Sequence, residues 1–139
     1  MSFVTDNDRD MGHQIFISYS SKDLKETESL RQELESQNLM CWMAPRDIRP
    51  GDIYASSIID AIESAKIFLL ILTEHSNVSP QVQKEVDRAV NAKLKIMALI
   101  LRKVELSKAL NYYLCDSHWI DGQQGPDAAI ATTVKACHA

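Results

Sequence analysis

The sequence predicts an α/β protein built on one parallel sheet with helices on both faces, and two features carry that prediction. Short apolar runs alternate with segments of helical periodicity five times along the chain. Such alternation closes into a parallel sheet through right-handed crossovers. The run "IFLLIL" is apolar at every position, as a strand covered by helices on both faces must be. A length of 139 residues supports one sizeable core and is short for two.

Residues 1–12 read as a flexible leader before a single domain over 13–137. The first strand is "HQIFISY", ended by "SSKD", where Ser20 as N-cap and Asp23 three residues on resemble a capping box. The helix it opens places Leu24, Thr27, Leu30 and Leu34 on one face. A second strand, "LMCWM", runs into "APRDIRPGD", whose two prolines and glycine exclude regular structure and mark a working loop. Ala55, Ile58, Ile59 and Ile62 follow the i, i+3, i+4, i+7 rule of a helix. "KIFLLIL" is the central strand. Pro80 suits the first turn of the next helix, "SPQVQKEVDRAV", because the N–H that proline lacks is unpaired there anyway. "LKIMALIL" is a fourth strand, "LSKALNYYL" a short helix and "SHWID" a fifth strand. Pro126 opens a last helix with Ile130, Val134 and Cys137 on one face; its uncapped end, "ACHA", suggests a chain cut from a longer one.

Composition narrows the class. Hydrophobic residues at 45% and charged residues at 24% are the proportions of a soluble globular protein, and a net charge of −4 opposes nucleic-acid binding. No stretch approaches the ~18 apolar residues of a membrane span, and the start "MSFVTDNDRDMG" lacks the basic flank and apolar run of a signal peptide. A cytoplasmic protein without a membrane partner is expected. Cys41, Cys115 and Cys137 are odd in number and far apart, so neither a disulfide framework nor a zinc site is indicated. The four histidines show no H-x-x-x-H spacing. No metal and no bound cofactor is expected.

Five β-α units usually take the flavodoxin-like order 2-1-3-4-5, and ligands then bind beyond the carboxyl ends of the strands, where the order reverses between strands 1 and 3. The residues expected on that rim are Tyr19, Ser20 and Ser21 after strand 1, Ala44 to Tyr54 after strand 2, Thr73 to His75 after strand 3, and Arg102 after strand 4. Glu85 belongs to the same rim. With ~100° of rotation per residue, Val82, Val86, Ala89 and Val90 form the buried stripe of its helix, and Glu85 sits on the shoulder, roughly 85° from the stripe's centre. There it leans into a cleft as readily as into water.

"IFISYSSKD", "CWMAPRDIRPGDIY", "SPQVQKEVDRAV" and "SHWID" resemble, in order and spacing, the bacterial branch of the Toll/interleukin-1 receptor (TIR) domains, from about His13 to Cys137. The resemblance implies either of two functions. Many TIR domains hydrolyse or cyclise NAD with release of nicotinamide, and others act as non-catalytic adaptors through TIR–TIR contacts. In the enzymes a glutamate of the third helix is catalytic, commonly within W-x-x-x-E; here that glutamate is Glu85, and Gln81 stands at the tryptophan position. NAD is then a substrate, other TIR domains are partners in an active homo-oligomer, and a fused sensor or effector domain in anti-phage defence or another NAD-depleting response fits bacterial relatives.

The chemistry asks little of the protein. Cleaving the nicotinamide–ribose bond expels a neutral pyridine from a cationic one, so no acid is needed for the leaving group. Positive charge develops on the ribose, and a fixed anion is worth more there than in the ground state. Arg46 and Arg49 are candidates for bidentate contact with the pyrophosphate, against the ordinary fate of loop arginines, which is solvation or protein contact. Tyr54 offers a ring for stacking or for packing at a helix start. Ser20 and Ser21 sit where free helix N–H groups favour phosphate or ribose oxygens, although a cap explains Ser20 equally. Trp42 is a core residue or a stacking platform. The loop Ala44 to Tyr54 is the candidate lid, expected to order against a second subunit. A phosphoacceptor receiver shares this strand order but requires an acidic pair after strand 1 and an aspartate after strand 3, where this chain has "SYSS" and "LTEH".

Overall fold

A computed structural model describes residues 14–138; the expected leader, residues 1–12, lies outside them. Five strands, β1 (Ile15–Ser18), β2 (Cys41–Trp42), β3 (Ile67–Leu72), β4 (Lys95–Ile100) and β5 (His118–Asp121), form one sheet of order β2-β1-β3-β4-β5. Every pairing is parallel. The crossovers are α1 (Leu24–Ser36), α2 (Tyr54–Ser64), α3 (Pro80–Asn91) and α4 (Lys108–Leu114), and α5 (Pro126–Cys137) follows β5. This is the fold the sequence predicts.

Strand parity divides the core into two layers. Ile15 and Ile17 of β1, with Ile67, Leu69 and Ile71 of β3, pack with Leu30 and Leu34 of α1 and Ala129 and Ile130 of α5. Phe16, Phe68, Leu70 and Leu72 point the other way, against Ile58 and Ile62 of α2, Val82 and Val86 of α3, and Leu110 and Leu114 of α4. All six residues of β3 are buried, as a central strand requires. Register Ile15↔Ile67 to Ser18↔Leu70 aligns the ends of β1 and β3, the two strands between which the order reverses. Among the described residues no helix is long and apolar enough to cross a membrane.

Three local expectations are corrected. Strand β2 is two residues long, not five, because the backbone leaves the sheet at Met43, whose N–H donates to Asp47 Oδ2 at 2.9 Å. Ser20 caps only a 3-10 turn, Ser21–Asp23, accepting from the N–H of Lys22 at 3.3 Å, and Asp23 does not complete a capping box. Its carboxylate turns inward, 1% exposed, because the Thr73 hydroxyl and the Arg102 guanidinium donate to it there. Leu24 is 44% exposed, ahead of the stripe that α1 buries.

Candidate functional site

Glu85 is set by two elements. Ser79 caps α3 by accepting from the N–H of Val82, and Pro80 occupies the first turn, which fixes the helix phase. Val82, Val86 and Ala89 then face the sheet at 0% exposure. The shoulder position turns inward rather than outward, and Glu85 is 8% exposed. Ser18, last residue of β1 and in phase with Phe16, donates its hydroxyl to Glu85 Oε1 at 2.7 Å. Gln81, one helical turn before Glu85, donates Nε2 to Oε2 at 2.9 Å. Each carboxylate oxygen therefore has one neutral donor. No salt bridge involves Glu85 among the described residues. Burial pushes its pKa above the ordinary carboxylate value, with the two hydrogen bonds opposing.

The carboxylate lines a cleft of about 340 Å³ between α2 and α3, walled by Ile58, Ile59 and Ile62 with Gln81, Lys84, Asp87 and Arg88 along α3. Tyr19 follows Ser18. Its phenol donates to the carbonyl of Ala44, and its pKa is raised by burial first and then by Tyr54, Glu28 and Glu85 nearby. Tyr54, first residue of α2, is 54% exposed beside Ile53 at 72%.

The other expected contacts lie elsewhere. Trp42, 7% exposed, stacks on Phe16 with centroids 5.1 Å apart and planes at 10°, and Phe16 stacks in turn on Phe68; the ladder crosses β2, β1 and β3. Arg46 is committed to protein: its guanidinium donates to Glu35 at 3.0 Å, to Asp47 at 2.6 Å and to the carbonyl of Cys41 at 2.6 Å. These carboxylates hold its pKa above the usual value despite burial. Trp42, Arg46 and Arg49 line a separate cavity of about 620 Å³ bordered by Pro50, Ser57 and Asp60, on the other side of α2 from Glu85. Ser20 is consumed as a cap, and Ser21 is exposed in the 3-10 turn.

Ser18 and the basic pair Lys84 and Arg88 are absent from the sequence-predicted set. Ser18 carried a readable signal, a hydroxyl at a position whose parity is otherwise apolar. Lys84 and Arg88 carried none, since helix lysines and arginines are ordinarily solvated.

The fold has counterparts among known proteins. The family model described as TIR domain matches residues 15–134. The TIR domain of the Toll-related receptor TRR-2 from Hydra magnipapillata superposes with a TM-score of 0.76 at 18% identity, covering 91% of this chain and 99% of that one. The TIR domains of the activated Roq1 resistosome, which recognises the pathogen effector XopQ, superpose at 0.75 and 12% identity, covering 89% and 98%. The CMP N-glycosidase BcmB of Clostridium botulinum is similar at 0.63 and 19% identity, covering 86% and 97%. At these identities the likeness is one of fold. No curated protein matches the chain.

Proposed function

The chain belongs to the TIR domain family, and on that premise we propose that it cleaves NAD between nicotinamide and ribose, with Glu85 as the catalytic carboxylate. The observation that carries this reading is a carboxylate 8% exposed at the wall of a cleft, hydrogen-bonded only by neutral groups among the described residues. A charge that folding serves would be paired with a cation; one left uncompensated is available to a developing cation.

The carbon–nitrogen bond breaks with its electron pair passing to the pyridine nitrogen, so cationic nicotinamide leaves as a neutral molecule. Ionised Glu85 stabilises the oxocarbenium-like ribose from a fixed position, at no cost of reorganisation. Water adding at the ribose carbon, with loss of one proton, gives ADP-ribose; a nucleophile of the same molecule gives a cyclic isomer. The three isoleucines make an apolar wall for the nicotinamide ring, and Lys84 supplies positive charge for the pyrophosphate, Arg88 being shared with Glu63 at 3.9 Å. Arg46 is assigned to holding the loop, because its donors are spent on Glu35, Asp47 and Cys41.

A volume of about 340 Å³ is at the low end for ligand sites and holds the nicotinamide riboside half of the substrate. The remainder requires a wall that a neighbouring TIR domain supplies. The loop before α2 fits that role: Ala44 is tied down by Tyr19, and Ile53 and Tyr54 are exposed. Self-assembly then gates cleavage, as an NAD-depleting immune response requires. The same exposed loop tip supports a second reading, a non-catalytic module acting through TIR–TIR contacts, in which Glu85 has no task.

Incubating the protein with NAD over a hundredfold range of protein concentration, and separating the products chromatographically, tests both. Nicotinamide release whose specific activity rises with concentration, and which Glu85→Gln abolishes, is the expected result. Release by Glu85→Gln at the wild-type rate would remove Glu85 from the chemistry, and an inactive wild type, even when concentrated, would favour the adaptor.

A further inference from the structure

We propose that Ser18 is a positioning residue that fixes the Glu85 carboxylate in its reactive orientation. The inference rests on the reading of Glu85 as the reacting group, and it deepens that reading.

The two donors to Glu85 differ in kind. Gln81 is exposed on α3 and exchanges its amide hydrogen bond with water or with a substrate hydroxyl. Ser18 is 0% exposed, and its backbone is held by the β1–β3 register opposite Leu70. Its Oγ lies 2.7 Å from Glu85 Oε1 across 67 residues of sequence. A short side chain on a sheet strand defines an atomic position far better than a flexible amide on a helix surface. Ser18 therefore sets where Oε1 stands.

Residue chemistry explains why a serine serves here. An apolar side chain would leave Oε1 desolvated and unsatisfied, so the carboxyl would take up a proton. A lysine or arginine would hold the carboxylate ionised but neutralise the charge that the oxocarbenium needs. A hydroxyl donates one hydrogen bond, carries no net charge and fits between a strand end and a helix. Burial raises the pKa of Glu85, and the hydrogen bonds from Gln81 and from Ser18 both lower it; of the two donors only the Ser18 hydroxyl is itself fully buried, so its opposition to the desolvation is the one that water cannot replace.

The test follows the Glu85 carboxyl directly. In protein labelled with ¹³C at the glutamate carboxyl, the Glu85 resonance is the one missing from Glu85→Gln, and its titration midpoint is read in wild type, Ser18→Ala and Ser18→Cys. The midpoint moves up in Ser18→Ala and, because a thiol is a weak donor, also in the near-isosteric Ser18→Cys. Ser18→Thr, which keeps the hydroxyl, stays near wild type. In parallel, kcat for NAD falls about tenfold in Ser18→Ala, KM changes less than kcat, and the acid limb of the pH profile moves with the midpoint. A residue that served folding alone would lower the melting temperature and leave the midpoint where it was. Unmoved midpoints in Ser18→Ala and Ser18→Cys overturn the proposal even if the wild type cleaves NAD. Moved midpoints in a wild type background that does not cleave NAD overturn the enzymatic reading while Ser18's control of Glu85 stands. If Ser18→Ala fails to fold, Ser18→Cys alone decides.

Discussion

Asp23 and Glu85 are both buried carboxylates at the carboxyl-end rim of the sheet, yet they are built oppositely. Asp23 takes a hydrogen bond from Thr73 Oγ1 at 2.6 Å and an ion pair from Arg102 at 2.7 Å, and the same arginine reaches Glu26 and Glu74. Thr73, in phase with Leu69 and Ile71, belongs to the α1 and α5 side of the sheet. Glu85 lies on the other side and is met by a serine and a glutamine. The first carboxylate ties the turn after β1 to the ends of β3 and β4, and its charge is compensated. The second is held in place without compensation. Under the proposed function, the difference tells a structural from a reactive acid at one rim by whether a cation stands among its partners.

The comparison breaks most visibly in rate. Glu85→Gln keeps the shape and both neighbours while removing the anion, and nicotinamide release is expected to fall by ~10²- to 10³-fold. The same variant is expected to fold at least as stably as wild type. Burial raises the folded pKa of Glu85, so the folded state binds the proton more tightly than the unfolded one. The contribution of this group to stability is present in acid and is lost as pH rises through the folded value. Glu85→Gln should therefore gain on wild type in urea titrations at pH 7, and the gain should vanish below ~4.3, the ordinary glutamate value. Equal stabilities at both pH values would mean that Glu85 is compensated after all. By the same sign, activity rises on the acid side only above the ordinary carboxylate range.

Removing the cation from the other centre has the reverse signature. Arg102→Met strands Asp23, which is 1% exposed, and is expected to cost about 2 kcal/mol, less than a fully buried pair because Arg102 itself is more than a third exposed. Denaturant unfolding reads the loss, and kcat per folded molecule should stay within about twofold. A fall in kcat with stability intact would place Arg102 in the chemistry and erase the contrast.

Gly51→Pro touches neither carboxylate. Gly51 has φ +89°, an angle closed to proline, and nothing lies within 4 Å of a would-be Cβ. Loss of self-association and of NAD cleavage, with circular dichroism unchanged, is expected; full activity would dissociate the loop from Glu85. The smallest effect belongs to Gln81→Leu. Its hydrogen bond is solvent-exchangeable, and a change in kcat below about threefold is expected, well under that of Ser18→Ala.

Much of this was legible in the chain. Periodicity and the place of Pro80 put a helix on Ser79 to Val90, found at Pro80–Asn91, and an all-apolar run put β3 within the core, because backbone hydrogen bonding and apolar burial act over neighbouring residues. The shoulder position of Glu85 was equally a property of helix geometry. Its burial was not, since an 85° offset lies between solvent and core until α2 and β1 pack against it. Arg46 shows the same limit: a loop arginine in sequence, it is captured by Glu35 of α1, eleven residues away in the chain and 3.0 Å away in space. Local order is decided by forces that span a few residues. The pairings that give each rim residue its role, Ser18 with Glu85 and Asp23 with Arg102 across 79 positions, exist only once strand order and register bring distant segments together.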